Sequence, residues 1–371
     1  MLKQLKKLAK RLLAIAWIRH GFEALMRGIS EIFGAHRLLS IPYSILTFAT
    51  FNREQFAVLR GRRDYYRNLS KARRSSTELR RNIHRLEKGI SMQPRRPVFA
   101  LDYLEETLDF YEKAVASACH AGSGTSQTAT DTDELTWAHD VLTDYFAIVS
   151  SENPVVAAAW RRFEATRPAF DPAATTQKPY PRREGASSTV SYDELLTLSM
   201  QRRSVRWFTS QAVPRELIDK AMLVARQSPT ACNRLPYTYR FFDEPSLVKK
   251  IAGIPFGSAG YSHQIPTVAV VTGRLNHYFS PRDRHVIYVD SSLSAMGFMY
   301  ALETLGLSSS VINWPDFEPL EAKMQKALNL DYDERVIMLI AIGYADPEGL
   351  IPYSQKKSLD ILRSYNKSGD A

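Results

Sequence analysis

The order of secondary structure predicted for residues 191–343 restricts the fold of this chain more than any other feature of its sequence. Apolar residues recur there first with helical spacing and then with the spacing of short strands, and the two patterns alternate. Helices are predicted at 191–201, 214–226, 246–252, 290–305 and 317–328, and strands at 237–242, 267–272, 308–313 and 335–343. No strand is followed by a Gly-x-Gly-x-x-Gly loop, so the pattern indicates an α+β domain and not a Rossmann dinucleotide domain.

Length and composition allow two globular domains. The chain has 371 residues, of which 44% are hydrophobic and 24% are charged, as in ordinary globular proteins. Residues 166–189 contain four prolines among many small or charged residues, a composition typical of a linker. We therefore expect a basic, mainly helical N-terminal domain at 1–165, a linker at 166–189 and the α+β domain at 190–371.

Positive charge is concentrated in the first hundred residues. They contain 22 of the 49 lysines and arginines but only 6 of the 39 acidic residues, so the rest of the chain is net acidic. A basic segment of this kind favours an anionic partner, whether a phospholipid surface, a nucleic acid or an acidic protein. Nucleic acid is disfavoured, because aromatic residues are not interleaved with the basic clusters as a single-strand platform requires.

Residues 2–33 have the pattern of an amphipathic helix. Apolar residues recur at helical spacing, with Lys3, Lys6 and Lys10 among the residues between them. Two interpretations stay open. In one, residues 1–30 lie on an anionic membrane surface. In the other, the helix packs against its own domain and exposes its basic face to solvent.

The sequence predicts neither a signal peptide nor a membrane-spanning helix. Arg19, His20 and Glu23 interrupt the first apolar stretch, and no run of about eighteen uncharged apolar residues occurs. Cys119 and Cys232 are too few for a disulfide framework and lack metal-ligand spacing, so we expect no metal site. These features favour a cytoplasmic protein, with peripheral attachment at the inner face of the membrane as the alternative.

A strongly basic helical pattern without proline covers residues 52–89 and predicts one long helix that ends near Gly89. Residues 84–89 read His-Arg-Leu-Glu-Lys-Gly. His84 and Glu87 lie three positions apart, on one face of the helix, where such a pair can bind a metal or transfer a proton. An ion-paired helix face is the favoured interpretation.

Residues 202–206 read Arg-Arg-Ser-Val-Arg, a pattern that can bind phosphate. Arginine offers a rigid fork of donors and serine adds a rotatable one, so three guanidinium groups and a hydroxyl within five positions can surround a phosphate. In an extended segment the side chains of Ser204 and Arg206 project from the same side. Alone, such a run is typical of a solvated helix end.

Residues 228–237 read Ser-Pro-Thr-Ala-Cys-Asn-Arg-Leu-Pro-Tyr, a turn of small residues that can bring backbone donors and the Asn233 amide against a flat heterocycle. The two segments, with one helix between them, resemble the flavin-binding entry of the FMN-dependent nitroreductase family. Members of that family carry Pro-Ser-x-x-Asn-x-Gln-Pro-Trp at the second segment. Here Leu235 stands in place of the Gln and Tyr237 in place of the Trp, so the contact assigned to the Gln is not carried over.

Further segments extend the resemblance to the end of the chain. Residues 290–307 are similar to the long central helix of the family, and residues 308–314 to the strand whose backbone passes the N5 edge of the flavin. Residues 340–345 and 352–357 are similar to the closing strand and to the basic tail that reaches the FMN phosphate. The resemblance covers 190–371 and implies a nitroreductase-like FMN-binding fold, with a central, mostly antiparallel sheet flanked by helices.

The resemblance also implies a bound FMN and its site. It assigns no catalytic side chain. Arg202, with Arg203 in support, would bind the phosphate together with Ser204 and a lysine of the tail. Arg206 would lie near the O2/N1 side of the flavin. Asn233 would contact the pyrimidine edge, and the backbone of Ile312 and Asn313 would lie near N5. The residues assigned to FMN are Arg202, Arg203, Ser204, Arg206, Pro229, Thr230, Asn233, Ile312, Asn313, Lys356 and Lys357.

By resemblance the chain is an FMN-dependent oxidoreductase. It would take electrons from transiently bound NAD(P)H and reduce a small organic acceptor in a ping-pong reaction, as an intertwined homodimer whose sites use both chains. Segments similar to residues 84–89 precede nitroreductase domains of surface-polysaccharide gene clusters, which favours a role in polysaccharide biosynthesis. The alternative, motivated by Leu235 and by the additional N-terminal domain, is a catalytically silent flavin-fold protein that serves as a binding or scaffold module at a membrane surface.

Overall fold

The computed structural model of the chain describes residues 15–35, 39, 49–69, 71, 74–120, 131–166 and 177–366. Residues 1–14, which include the first 13 of the 32 residues of the predicted amphipathic helix, lie outside this part of the chain, as does the polar segment 121–130. Two compact units are present. One comprises residues 1–56 with 316–322, and the other comprises residues 57–315 with 323–371.

The N-terminal region is helical. Its helices are α1 (Ala16–Gly34), α2 (Ala49–Asn68), α3 (Thr77–Ile90), α4 (Leu104–His120), α5 (Thr132–Ile148) and α6 (Pro154–Ala165). The prediction of one helix over 52–89 is wrong, because two separate helices, α2 and α3, cover this stretch. A local cap explains the new start: the Ser76 side chain accepts a hydrogen bond from the Leu79 N–H at 3.3 Å, which satisfies a donor of the first turn of α3.

Helices α3 to α6 share one apolar core. Leu79, Ile83 and Leu86 on one face of α3 are completely buried, as their spacing of four and three residues predicts. Tyr111 of α4 and Tyr145 of α5 are buried against them, and the Tyr145 hydroxyl donates to the Phe99 carbonyl at 2.8 Å. The core fixes α3 by its apolar face and leaves its arginines on the other faces.

The C-terminal region has the predicted order of helices and strands. Its elements are α7 (Tyr192–Gln201), α8 (Arg215–Ala225), β1 (Tyr237–Phe242), α9 (Pro245–Ala252), β2 (Thr267–Arg274), α10 (Val286–Thr304), β3 (Ser308–Asn313), α11 (Glu318–Leu328), β4 (Glu334–Gly343) and α12 (Leu359–Leu362). The strands form one antiparallel sheet in the order β1-β2-β4-β3. The predicted α+β class is therefore confirmed.

The two central strands of the sheet, β2 and β4, are buried along almost their whole length. Helix α10 packs on the sheet through Ala295, Phe298 and Leu302, which belong to the same apolar core as Val271 and Ile340. This packing fixes the position of α10 on the sheet, of which β3 is an edge strand. None of the helices in the described residues is both long and apolar enough to cross a membrane.

Candidate functional site

Residues 202–206, which we call the arginine segment, lie beside β3. A capping box opens α7, with the Ser191 hydroxyl accepting from the Glu194 N–H at 3.2 Å and the Glu194 carboxylate accepting from the Ser191 N–H at 2.7 Å. The helix ends at Gln201, and Arg202 leaves it with extended backbone angles. Ser204 then forms a parallel bridge with Ser309, and the Val205 N–H donates to the Ser309 carbonyl at 3.1 Å.

Several buried polar atoms of this segment, of β3 and of α10 have no described hydrogen-bond partner. Among the described residues they include Arg202 Nε, the Oγ atoms of Ser309 and Ser310, and Glu303 Oε1, all of them buried. Arg202 Nε and the Ser309 hydroxyl are buried donors at the segment and its bridge, and a bound anion would satisfy them. Ser310 follows Ser309 on the strand, so its side chain lies on the opposite face of the sheet, and Glu303 Oε1 is an acceptor that an anion does not satisfy. The arrangement fits the phosphate of FMN at Arg202, Arg203 and Ser204.

A buried carboxyl lies at the same place. Glu303, in the last turn of α10, is 8% exposed and accepts a hydrogen bond from Gln201 Nε2 at 3.4 Å. Burial raises the pKa of the Glu303 carboxyl, although the Gln201 hydrogen bond and the Arg202 charge oppose that shift. Burial thus disfavours a negative charge on Glu303, whereas the neighbouring Arg202 favours one.

The far end of the segment is fixed by a glutamine. Gln264 Nε2 donates to the Arg206 carbonyl, and Gln264 Oε1 accepts from the Phe208 N–H at 2.8 Å. The exposed Arg206 guanidinium lies 6.0 Å from the centroid of the Tyr261 ring. Val205, between Ser204 and Arg206, is buried, in accord with the alternation expected for an extended segment.

The second predicted segment, which we call the 229–235 loop, has an unusual backbone. Cys232, Asn233 and Leu235 have φ angles of 54°, 51° and 46°, the left-handed conformation that costs a residue other than glycine about 1–2 kcal/mol. Three hydrogen bonds in which N–H groups of the loop are the donors offset this cost. Thr230 accepts two of them, from Asn233 N–H on its carbonyl at 3.0 Å and from Leu235 N–H on its Oγ1 at 3.2 Å.

The third hydrogen bond comes from α10. Asp290, in its second turn, accepts from the Ala231 N–H at 3.0 Å. Burial raises the pKa of the Asp290 carboxyl, while the hydrogen bond from Ala231 and the Arg234 charge act in the opposite direction. Arg234 is 5% exposed, and its guanidinium lies 5.0 Å from the Tyr278 ring centroid. The loop is thus anchored by its own threonine and by the first half of α10.

The arginine segment and the 229–235 loop lie at opposite ends of α10. Gln201 contacts Glu303 near the end of the helix, whereas Ala231 contacts Asp290 near its beginning. Thirteen residues separate these two contacts on α10, and a rise of about 1.5 Å per residue places them about 20 Å apart. Within one chain the structure therefore does not bring the two segments together.

The remaining predicted residues fall into two places. Ile312 is buried at the far end of β3 and Asn313 is exposed beside it. A Cβ built on Gly257 would lie 3.5 Å from Ile312 Cγ2 and 4.0 Å from Asn313 N, so the turn at 256–258 lies against this end of the strand. Lys356 and Lys357 lie in the exposed extended segment before α12.

The structure adds residues that the sequence did not suggest. Arg80 of α3 donates from Nε to the Asn233 carbonyl at 2.8 Å. Gln264, Asp290 and Glu303 hold the two segments as described above. Each acts across 56 or more residues of sequence, and no local pattern marks such a partner. His84 Nδ1 lies 3.4 Å from Glu87 Oε2 on the same face of α3, and the described residues contain no group of three or more His, Cys, Asp or Glu suited to a metal ion.

Comparison with known proteins supports the family resemblance. The family model described as "Nitroreductase family" matches residues 200–256 and 255–344. An iodotyrosine deiodinase from Haliscomenobacter hydrossis is 25% identical over 224 residues, covering 52% of this chain and 95% of that protein. Iodotyrosine deiodinase 1 from Pongo abelii is 22% identical over 211 residues, covering 49% of this chain and 71% of that protein.

Two solved bacterial structures are also similar to this chain over part of its length. An FMN-dependent nitroreductase from Clostridium difficile is 18% identical, with a TM-score of 0.41, and the match covers 47% of this chain and 99% of that one. A nitroreductase family protein from Streptococcus pneumoniae is 20% identical, with a TM-score of 0.40 and coverage of 46% and 99%.

The sheet order, the arginine segment beside β3 and the family-model match define the class of the C-terminal region: it has the fold of a family of oxidoreductases. The C-terminal half of this chain contains a nitroreductase-family domain, and the nitroreductase-like fold predicted from the sequence is confirmed. A mainly helical N-terminal region precedes it.

Proposed function

We propose that this protein is an FMN-dependent oxidoreductase that uses NAD(P)H to reduce a small organic acceptor. The observation that carries the proposal is the arginine segment, in which Arg202 and Arg203 precede Ser204 and Ser204 pairs with Ser309 at the start of β3. Arg202 Nε and the Ser309 hydroxyl are buried there without a described partner. Such a set of donors favours a dianionic phosphate over a neutral ligand. When bound, FMN supplies reversible two-electron chemistry at N5.

The chain's own residues would bind and orient this cofactor. Arg202, Arg203 and Ser204 would hold the phosphate, assisted by Lys356 or Lys357. The positive charge of Arg206 would stabilise the electron-rich pyrimidine side of the ring. Pro229, Thr230 and Asn233 would contact that pyrimidine edge, and the backbone of Ile312 and Asn313 would lie beside the reactive edge.

We further propose a homodimer in which the two chains complete each site together. Support comes from the separation of about 20 Å between the arginine segment and the 229–235 loop, set by the length of α10. Helix α7 has no buried residue, and its Tyr192, Leu195 and Met200 are exposed. Residues 350–366 are exposed throughout and include large apolar side chains. A second copy would bury both surfaces.

A ping-pong reaction is consistent with this site. Without a Gly-x-Gly-x-x-Gly loop after a strand, NAD(P)H has no dedicated dinucleotide domain in the sequence. The donor and the acceptor would therefore use the same pocket in turn. The relatives named iodotyrosine deiodinase suggest that iodotyrosine belongs among the acceptors to be tried, beside a quinone, a nitroaromatic compound and intermediates of surface-polysaccharide synthesis.

The first experiment is the visible absorption spectrum of the purified full-length chain, with and without added FMN. Flavin bands that bleach on anaerobic addition of NADH or NADPH, and return when an acceptor is added, are the expected result. Bands that both pyridine nucleotides leave unchanged would contradict the oxidoreductase and favour a catalytically silent scaffold. A protein that stays colourless after incubation with FMN would contradict the flavin site itself.

A further inference from the structure

An arginine from outside the nitroreductase-family domain donates a hydrogen bond to the 229–235 loop. Arg80 of α3 donates from Nε to the main-chain carbonyl of Asn233, with a donor–acceptor distance of 2.8 Å across 153 residues of sequence. Asn233 is the residue whose side-chain amide the proposed function assigns to the pyrimidine edge of FMN. Fixing the plane of the peptide that follows Asn233 restricts the direction in which its side chain leaves the backbone.

Arg80 is itself held from several sides. Its Nη1 donates to Glu134 Oε2 at 3.0 Å, and its guanidinium lies 5.3 Å from the centroid of the Trp137 ring. The Glu134 side chain is 2% exposed. That carboxylate also accepts from the Ser76 N–H at 2.8 Å and from the Ser75 hydroxyl at 2.6 Å. A rigid fork in these contacts is oriented before it reaches the loop.

The bond from Arg80 differs from the other anchors of the loop. Asp290 and Thr230 act on N–H groups of Ala231, Asn233 and Leu235, whereas Arg80 acts on a carbonyl. That carbonyl belongs to Asn233, which has a positive φ angle, and Leu235, two residues later, has one as well. A charged donor there stabilises the left-handed backbone, because relaxation of the backbone would turn the carbonyl away from the guanidinium.

We propose that Arg80 is a positioning residue of the flavin site: through the Asn233 carbonyl it holds the 229–235 loop in the conformation that presents the Asn233 amide to the cofactor. This inference rests on the proposed FMN function. In this inference α3 takes part in cofactor binding through Arg80, which Glu134 and Trp137 of α5 hold in place. The N-terminal helical region then has a role in cofactor binding that the sequence alone did not indicate.

The test compares full-length Arg80→Ala with Arg85→Ala. Arg85 is a matched control on the same helix, because it also has an ion-pair contact, with Asp102 at 3.4 Å, and a ring contact, with Tyr103. Loss of a charge-assisted hydrogen bond predicts a rise of about tenfold or more in the Kd for FMN in Arg80→Ala. Arg85→Ala should stay within about twofold of the unmodified chain. Arg80→Lys keeps the charge but not the fork, so its Kd should lie in between.

Hydrogen exchange of the FMN-free proteins gives a second readout that does not depend on the cofactor. The amides of residues 231–235 should exchange faster in Arg80→Ala than in the unmodified chain. In Arg85→Ala their exchange rates should equal those of the unmodified chain. If Arg80→Ala fails to fold, Glu134→Gln takes its place. It weakens the hold on Arg80 while it keeps an oxygen for the Ser76 N–H, and it should raise both the Kd and the exchange at 231–235.

The outcomes separate this inference from the function on which it rests. An unmodified chain that does not bind FMN would refute the proposed function, and the flavin role of Arg80 with it. An unmodified chain that binds FMN, with Arg80→Ala equal to it in Kd and in exchange at 231–235, would refute only the inference. A higher Kd together with faster exchange at 231–235 in Arg80→Ala, or in Glu134→Gln where it replaces Arg80→Ala, and neither change in Arg85→Ala, would establish it.

Discussion

Arg202 leaves the end of α7 with its Nε buried and without a described partner, and the hydroxyl of Ser309, which pairs with Ser204, is in the same state. A buried polar group without a partner costs about 1–3 kcal/mol, and a bound phosphate would recover that cost. The site therefore has the property expected of a ligand site: the donors are placed by the fold before the ligand arrives. At the scale of single residues, binding should depend on a few of these charged donors.

Replacing Arg202 and Arg206 together by alanine should weaken FMN binding by several kcal/mol. Each charge-assisted contact contributes about 1.5–3 kcal/mol, so the Kd should rise at least a hundredfold. The measurement is a fluorescence titration with FMN. Arg182→Ala with Arg215→Ala, which removes two exposed arginines, is the charge-matched control, and equal flavin content in the two double variants would contradict the phosphate assignment.

Asp333 provides a pH test of a buried carboxyl outside the site. It is 1% exposed and accepts from the Asn276 N–H at 3.1 Å. Burial raises its pKa, although the Arg274 charge and the Asn276 hydrogen bond oppose the shift. A carboxyl with a raised pKa binds its proton more tightly in the folded state, so its favourable contribution is complete below the ordinary pKa near 4 and is lost as the pH rises through the folded-state pKa.

Asp333→Asn should therefore increase the free energy of unfolding at pH 7.5, and this gain should shrink as the pH approaches 4. The asparagine oxygen can still accept from Asn276, so the hydrogen bond is retained. Urea unfolding at both pH values measures the difference. Asp102→Asn, at a carboxylate that is 77% exposed, should leave stability nearly unchanged, and a pH-independent gain in Asp333→Asn would contradict the burial argument.

At the scale of elements, local signals determined most of what the sequence predicted well. The capping box at Ser191 and Glu194 starts α7, and four apolar stretches became the four strands of the sheet. The failure at 52–89 has the same origin. The cap at Ser76 is a local signal too, but a basic, proline-free segment without a glycine near the break has a helical pattern on both sides, so the pattern alone did not show the break.

Helix α2 approaches the nitroreductase-family domain closely at a glycine. A Cβ built on Gly61 would lie 2.7 Å from Leu275 Cβ and 2.8 Å from the Leu275 carbonyl carbon. Gly61→Ala should therefore lower the free energy of unfolding by about 1–3 kcal/mol through overpacking, although alanine favours a helix by about 1 kcal/mol.

The matched control is Gly28→Ala in α1, where a Cβ would meet no atom within 4 Å. It should be neutral or slightly stabilising. Thermal unfolding of both variants measures the effect. A stabilised Gly61→Ala would mean that α2 and the residues after β2 do not pack as closely as described.

At the scale of the whole molecule, α10 separates the two halves of the proposed site, and two copies of the chain would bring them together. This arrangement can be tested by mixing two inactive variants, Arg202→Ala with Arg206→Ala in one chain and Asn233→Ala in the other. In a heterodimer with shared sites, one site carries all the substitutions and the other carries none, so up to about half of the heterodimers' flavin sites should be restored. If each site belonged to one chain, every site would carry a defect and mixing would restore nothing.

The N-terminal residues set a second prediction at this scale. Several large apolar side chains of α1 are exposed, among them Trp17, Leu25 and Ile32, and the preceding residues are strongly basic. We propose that residues 1–30 attach a cytoplasmic protein peripherally to an anionic membrane surface. Deleting them should abolish sedimentation with anionic liposomes and leave the FMN content unchanged. Equal sedimentation of the truncated and complete chains would exclude this role.

The sequence by itself determined the fold class, the order of the elements from 191 to 343 and the arginine segment, because caps, apolar periodicity and short motifs are local properties of a chain. Only the tertiary structure decided what holds those motifs. Asp290, Gln264, Glu303 and Arg80 act through contacts between residues far apart in sequence, and the pairing of such residues is set by the packing of helices and sheet. The separation between the arginine segment and the 229–235 loop is likewise set by tertiary structure, because both contact α10 at points about 20 Å apart along this packed helix.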